Sequence, residues 1–138
     1  MESKRFIETA NDAAALFRKS IGIAGEHEAI FLLPLGDDGE VLHDPILVTL
    51  GEDNRKAEVK LGDILSKAYK MDAKAIIVAH NHPSGNPKPS KVDLEFTAAL
   101  KDVCERLGNI QFLDHLIIGS FESANGFGFV SISEVSAT

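Results

Sequence analysis

The chain has 138 residues, 44% hydrophobic and 25% charged, the composition of a water-soluble globular domain large enough for a single core. Its net charge of −7 speaks against the basic stripe with which proteins hold nucleic-acid phosphates, so direct nucleic-acid binding by this domain is not expected. No membrane-spanning run, no signal-peptide core in Met1-Glu2-Ser3-Lys4-Arg5-Phe6 and a single cysteine, Cys104, predict a reducing, cytoplasmic setting without a membrane partner.

Residues 1–8 are polar and predict a loosely held start. From Thr9 or Asn11, the run Ala13 to Lys19 has good helix formers, cap residues ahead and basic residues behind, which predicts a helix stopping before Gly22. Glu26 to Leu35 reads as a strand in which Pro34 suits only an end or an edge. Gly36-Asp37-Asp38-Gly39 is a turn signal, and Val41 to Leu50 is the expected partner strand of a hairpin. Gly51 to Asn54 marks another turn. Leu61, Ile64, Leu65 and Ala68 lie on one helical face and predict a second helix ending near Lys70.

Ala75 to Ala79 is short, β-branched and bounded by breakers, so it reads as a buried strand, and it leads into the stretch from His80 to Asp93. In extended backbone His80 and His82 share a face, where two imidazoles can grip one metal ion. The following loop is stiffened by three prolines and a glycine. From Ser90 the pattern turns helical, with Phe96, Ala99, Leu100, Val103, Cys104 and Leu107 recurring at helical spacing up to Gly108. Asp93 thus falls in the first turn of a helix that starts beside the strand end. Two histidines and a carboxylate with a fourth position open form the ligand set of a catalytic zinc site.

Ile110 to Gly119 reads as a strand, Phe121 to Gly126 as a turn and Phe127 to Ile132 as a last strand. The order predicts one α/β domain over residues 1–138, with its core at about 9–133 and a mixed sheet covered by helices.

Each part of the motif also has an ordinary explanation. His80-Asn81-His82 would serve as a polar strand edge, and Ser90-Lys91-Val92-Asp93 matches a helix capping box. The coincidence of a histidine pair, a rigid loop and an acid in the next helix's first turn favours metal binding. A hydrolytic site also needs a general base, for which Glu28 is the candidate, with Glu26 as a competitor on the same face and a solvated strand end as the plain alternative. His27 points to the opposite face. Ser90 is placed to steady a developing oxyanion. His43 reads as exposed or hydrogen-bonded, and His115 as a satisfied core histidine rather than a ligand.

His80-x-His82-Pro83, six residues, Ser90, two residues and Asp93 resemble the JAMM signature of JAB1/MPN-type metalloproteases. The closer wording His-Asn-His-Pro-Ser-Gly, with Asp114-His115-Leu116-Ile117-Ile118-Gly119 downstream, is similar to the JAB domain of bacterial RadC proteins. The resemblance implies one Zn²⁺ ion held by His80, His82 and Asp93, with Glu28 as the catalytic base and Ser90 at the oxyanion. It also implies a mainly antiparallel mixed sheet between helices, related to the cytidine-deaminase architecture. The expected activity is hydrolysis of a peptide or isopeptide bond in a peptide or protein substrate. A DNA-repair-associated role, through nucleic acid or a DNA-bound partner, is the alternative that the RadC likeness brings. Several features depart from the family. The helix-hairpin-helix region common in RadC proteins is not expected here, residues 47–61 lack the usual Gly/Thr/Ser-rich segment, and Asn81 stands where deubiquitinating members carry Ser or Thr. A nucleobase deaminase is excluded because one cysteine cannot supply a Cys-x-x-Cys pair. Nothing in the pattern sets an oligomeric state.

Overall fold

The computed structural model describes residues 4–24, 28–50, 61–82, 84–119 and 128–133. Its helices are α1 (Ala10–Ala24), α2 (Leu61–Lys70) and α3 (Lys91–Leu107). Its strands are β1 (Ala29–Leu35), β2 (Ile46–Leu50), β3 (Ala75–Asn81), β4 (Gln111–Ile118) and β5 (Phe129–Ser131). They form one mixed sheet in the order β2-β1-β3-β4-β5. β3 and β4 run parallel and are joined through α3, while the pairs β1–β2, β1–β3 and β4–β5 are antiparallel. This is the mixed α/β sheet covered by helices that the element order predicts, and it is mainly antiparallel, as the family resemblance implies.

Strand alternation sorts the core into two layers. Phe31, Leu33 and Leu35 of β1, with Ala75, Ile77 and Ala79 of β3, pack against Ala13, Ala14 and Phe17 of α1. On the other face Leu32, Ile76 and Val78 meet Ile64, Leu65 and Ala68 of α2 and Leu100 and Cys104 of α3. Both central strands are buried along their whole length, which accounts for their near-continuous apolar sequences.

Four sequence expectations are corrected. α1 runs through Gly22 to Ala24, because the roughly 1 kcal/mol that a helical glycine costs is small beside the burial of Ala13, Ala14 and Phe17. β2 begins at Ile46; Val41 makes only an isolated bridge to Leu35, and Pro45 has no N–H for a ladder. The chain start is held at residues 5–7, where Ile7 N–H donates to Gly39 O at 2.8 Å and Val41 N–H to Arg5 O at 2.8 Å. Gly39, at φ +82°, is required there, since a Cβ would sit 2.6 Å from the Ile7 carbonyl oxygen. In α3 the buried stripe is Asp93, Thr97, Leu100 and Cys104, whereas Ala99 and Leu107 are exposed. Pro34 does sit near a strand end, as its missing N–H demands. Glu26, His27 and the turns expected at 51–54 and 121–126 lie outside the described residues.

Candidate metal centre

The alternation that puts Ile76 and Val78 against α3 also aims His80 at that helix. Asn81 follows with its Oδ1 accepting the Ala29 N–H at 2.7 Å. That bond ties the start of β1 to the end of β3 and brings Glu28 beside the histidines. His82 lies just past the strand, where its N–H donates to Ile118 O at 3.0 Å. The loop beyond is pressed against the end of β4: a Cβ on Gly119 would fall 2.3 Å from Gly85 O.

Asp93 is delivered by the start of α3. Ser90 caps the helix with the expected box, its Oγ accepting the Asp93 N–H at 3.1 Å while Asp93 Oδ2 accepts the Ser90 N–H at 2.7 Å. The carboxylate then reaches both imidazoles, Oδ1 lying 3.0 Å from His80 Nε2 and Oδ2 3.1 Å from His82 Nε2. The two Nε2 atoms are 3.1 Å apart. Glu28 Oε1 stands farther off, 3.8 Å from His80 Nε2, and ligand atoms of Glu28, His80 and His82 all lie within 4.8 Å of one another. The five residues singled out in the sequence therefore meet at one end of the sheet.

The chemistry of these donors suits a cation. His82 Nδ1 donates to Asn86 O at 2.9 Å, so in the neutral ring Nε2 carries a lone pair. Carboxylate oxygens only accept. Acceptors about 3 Å apart repel unless a proton or a metal ion sits among them. Zinc bonded at about 2.0–2.1 Å to tetrahedral ligands would separate them by about 3.3 Å, close to the spacing seen.

The metal-free electrostatics point the same way. Burial opposes ionisation of Asp93, but its contacts with His80 and His82 and the Ser90 N–H outweigh it and hold the carboxyl far below the usual range. Contact with Asp93 raises His82 above its ordinary value against the effect of burial.

His115 is buried and satisfied, as its sequence context suggests, but its partners belong to the site. Its Nε2 lies 2.8 Å from His80 Nδ1, and its Nδ1 lies 2.7 Å from Thr97 Oγ1. Thr97 in turn donates to the Asp93 carbonyl oxygen at 2.8 Å. Burial, reinforced by the neighbouring His80, pushes the His115 pKa down to about 3. A bulge makes the contact: β4 pairs Ile76 with Phe112 but Ile77 with Asp114, and the extra residue, Leu113, turns His115 to the face of Val78 and His80. Asp114 anchors the bulge by accepting from the His115 N–H, the Ser131 hydroxyl and the Ser133 N–H. Sequence reasoning missed Thr97 and the His115 contact because the bulge reverses strand parity without leaving a signal. His43, whose Nδ1 donates to Asp44 O at 2.8 Å, is exposed. Among the described residues no helix is long and apolar enough to cross a membrane.

A family model described as "RadC-like JAB domain" matches residues 7–134. A UPF0758 protein of Carboxydothermus hydrogenoformans is 40% identical over 118 residues, covering 86% of this chain and 50% of the relative. One from Bacillus pumilus is 34% identical over 133 residues, 96% of this chain and 55% of that protein. One from Aquifex aeolicus is 59% identical over 56 residues, 41% of this chain and 24% of the relative. The chain thus spans about half or less of the length of these relatives.

Proposed function

Since the chain belongs to the RadC-like JAB domain family, we propose that it is a zinc-dependent hydrolase of peptide or isopeptide bonds, with a protein or peptide as substrate. The observation that carries this reading is the convergence of His80 Nε2, His82 Nε2 and the Asp93 carboxylate at 3.0–3.1 Å. Two carboxylates flank the imidazole pair, and their distances divide the labour. Asp93, in direct contact with both rings and fixed by the helix cap, is the third ligand. Glu28, farther from His80 Nε2 at 3.8 Å and positioned through the bond of the Ala29 N–H to Asn81, is the base.

When bound, the cation supplies a Lewis acid and brings the acidity of water toward neutral pH. Glu28 takes a proton from the attacking water and returns it to the leaving amine. The Ser90 hydroxyl accepts the Asp93 N–H with a lone pair, which leaves its proton to donate to the oxyanion. The buried end of the site, where His80 is almost fully covered, excludes bulk water, while Glu28 and His82 keep partial exposure on the open side. Nucleic acid is not the substrate in this reading, because a net charge of −7 repels phosphates.

Glu28→Gln tests the division of labour. The variant should bind Zn²⁺ like the parent in a calorimetric titration and lose about 10²–10⁴-fold in turnover on a peptide library that the parent cleaves. Equal cleavage by the two proteins would remove Glu28 from the base role.

A further inference from the structure

We propose that Thr97 and His115 are positioning residues that fix the tautomer of His80, so that its Nε2 offers a lone pair to the cation site before any cation arrives. The inference rests on the reading of His80 as a ligand.

Proton accounting along the chain of contacts carries it. The Asp93 carbonyl oxygen only accepts, so at 2.8 Å the Thr97 hydroxyl must donate to it. A hydroxyl has one proton. With that proton committed, the 2.7 Å contact between Thr97 Oγ1 and His115 Nδ1 requires the ring nitrogen to donate. A neutral imidazole carries a single N–H, and burial of His115 favours the neutral ring, so its Nε2 accepts. His80 Nδ1, 2.8 Å away, then supplies the proton of that bond. In that neutral ring His80 Nε2 offers a lone pair toward Asp93 Oδ1 at 3.0 Å and His82 Nε2 at 3.1 Å, a set of acceptors that only a cation or an added proton can hold together.

The two histidines reach the same state by different routes. His82 sits at the open side and finds a backbone carbonyl, that of Asn86, for its Nδ1. His80 lies within the sheet, between Ile30 and Ile117 on the neighbouring strands, where backbone carbonyls are engaged in strand pairing. Its acceptor must come from a side chain, and the bulge in β4 turns His115 to the right face. The relay ends on the backbone of Asp93, whose own side chain contacts both rings. One helical turn therefore positions the carboxylate and sets the protonation of the imidazole opposite it.

The tautomer can be read without any substitution, by long-range ¹H–¹⁵N correlation on the metal-free protein at mildly alkaline pH. His80 should show a protonated Nδ1 and an unprotonated Nε2; a protonated Nε2 on His80 would overturn the proposal. Thr97→Val removes the acceptor for His115 and frees that ring to take either tautomer, whereas Thr97→Ser keeps the relay. Thr97→Val should shift His80 toward the Nε2–H form and weaken Zn²⁺ binding about 10–100-fold, with Thr97→Ser close to the parent. Unchanged Zn²⁺ affinity and an unchanged His80 tautomer in Thr97→Val would sink the relay. His80→Ala separates the two levels of the argument. If it binds Zn²⁺ as the parent does, the ligand reading itself fails; if it loses binding while Thr97→Val does not, only the relay fails.

Discussion

The two faces of the central sheet begin alike and end differently. Toward α1, β3 presents Ala75, Ile77 and Ala79 in an apolar layer, and then Asn81, whose side chain accepts the Ala29 N–H and so serves to join β1 to β3. Toward α3 the same strand presents Ile76 and Val78 and then His80, met by Asp93, Thr97 and His115 where continued apolar packing would be expected. Both layers are buried. The difference lies in where polar groups gather: on the α3 face they collect toward the carboxyl ends of the parallel strands β3 and β4, the side on which α/β sheets characteristically bind ligands. A helix start supplies the cap and carboxylate there, and among the described residues every buried side-chain polar atom has a hydrogen-bond partner. One face carries stability and the other a site inserted into its last turn.

Breaking the apolar face should have the largest effect. Phe17→Ala leaves a cavity beneath α1 and should cost about 3–5 kcal/mol in chemical denaturation, while the folded fraction still binds Zn²⁺. Loss of Zn²⁺ binding from the folded fraction would show that the faces are not separable.

The polar face should reveal itself through pH. His115 is depressed from 6.5 to about 3, so the stability it contributes is present above 6.5 and disappears as pH falls toward 3. His82 is raised above 6.5, so its contribution is present below 6.5 and fades as pH rises through its higher folded value. The metal-free protein should therefore be most stable near pH 6.5 and weaken on both sides, as followed by urea denaturation. His82→Asn should flatten the alkaline limb and keep most of the acid limb, trimming only its most acid end, where His82 helps hold Asp93 ionised. An alkaline limb that persists in the variant would reassign it.

A smaller effect is expected where the two faces share a loop. Gly119→Ala places a methyl against Gly85 O and should shift the segment carrying His82, weakening Zn²⁺ about 10-fold in titration with little change in melting temperature. The smallest belongs to Leu107. It continues the apolar periodicity of α3 yet is exposed, and Leu107→Lys should change stability by less than about 0.5 kcal/mol. A larger loss would mean that the periodic stripe, not the observed one, is the packed face.

These cases show how far the residues alone could be read. Strand and helix identities followed from periodicity, and the cap from Ser90 and Asp93 three residues apart. His80, His82, Asp93 and Ser90 stood out because chemistry and spacing coincide, whereas Glu28 was one of two candidate carboxylates until the family resemblance favoured it. The α3 stripe was misread because Asp93 and Thr97 continue it as polar residues, which an apolar count passes over. His115 was legible as a buried histidine but not as a neighbour of His80, since a one-residue bulge reverses the face of every residue after it. The broken strand before Ile46 was foreshadowed by Pro45, whose weight beside so many strand formers a local reading does not set.

The central claim is that three side chains from β3, its loop and α3 hold one divalent ion. Anomalous diffraction at the zinc edge, from crystals of the protein grown with Zn²⁺, tests it most directly. The account predicts one strong peak about 2.0–2.2 Å from His80 Nε2, His82 Nε2 and an Asp93 oxygen. A peak bound elsewhere, or none at these three residues, would contradict it.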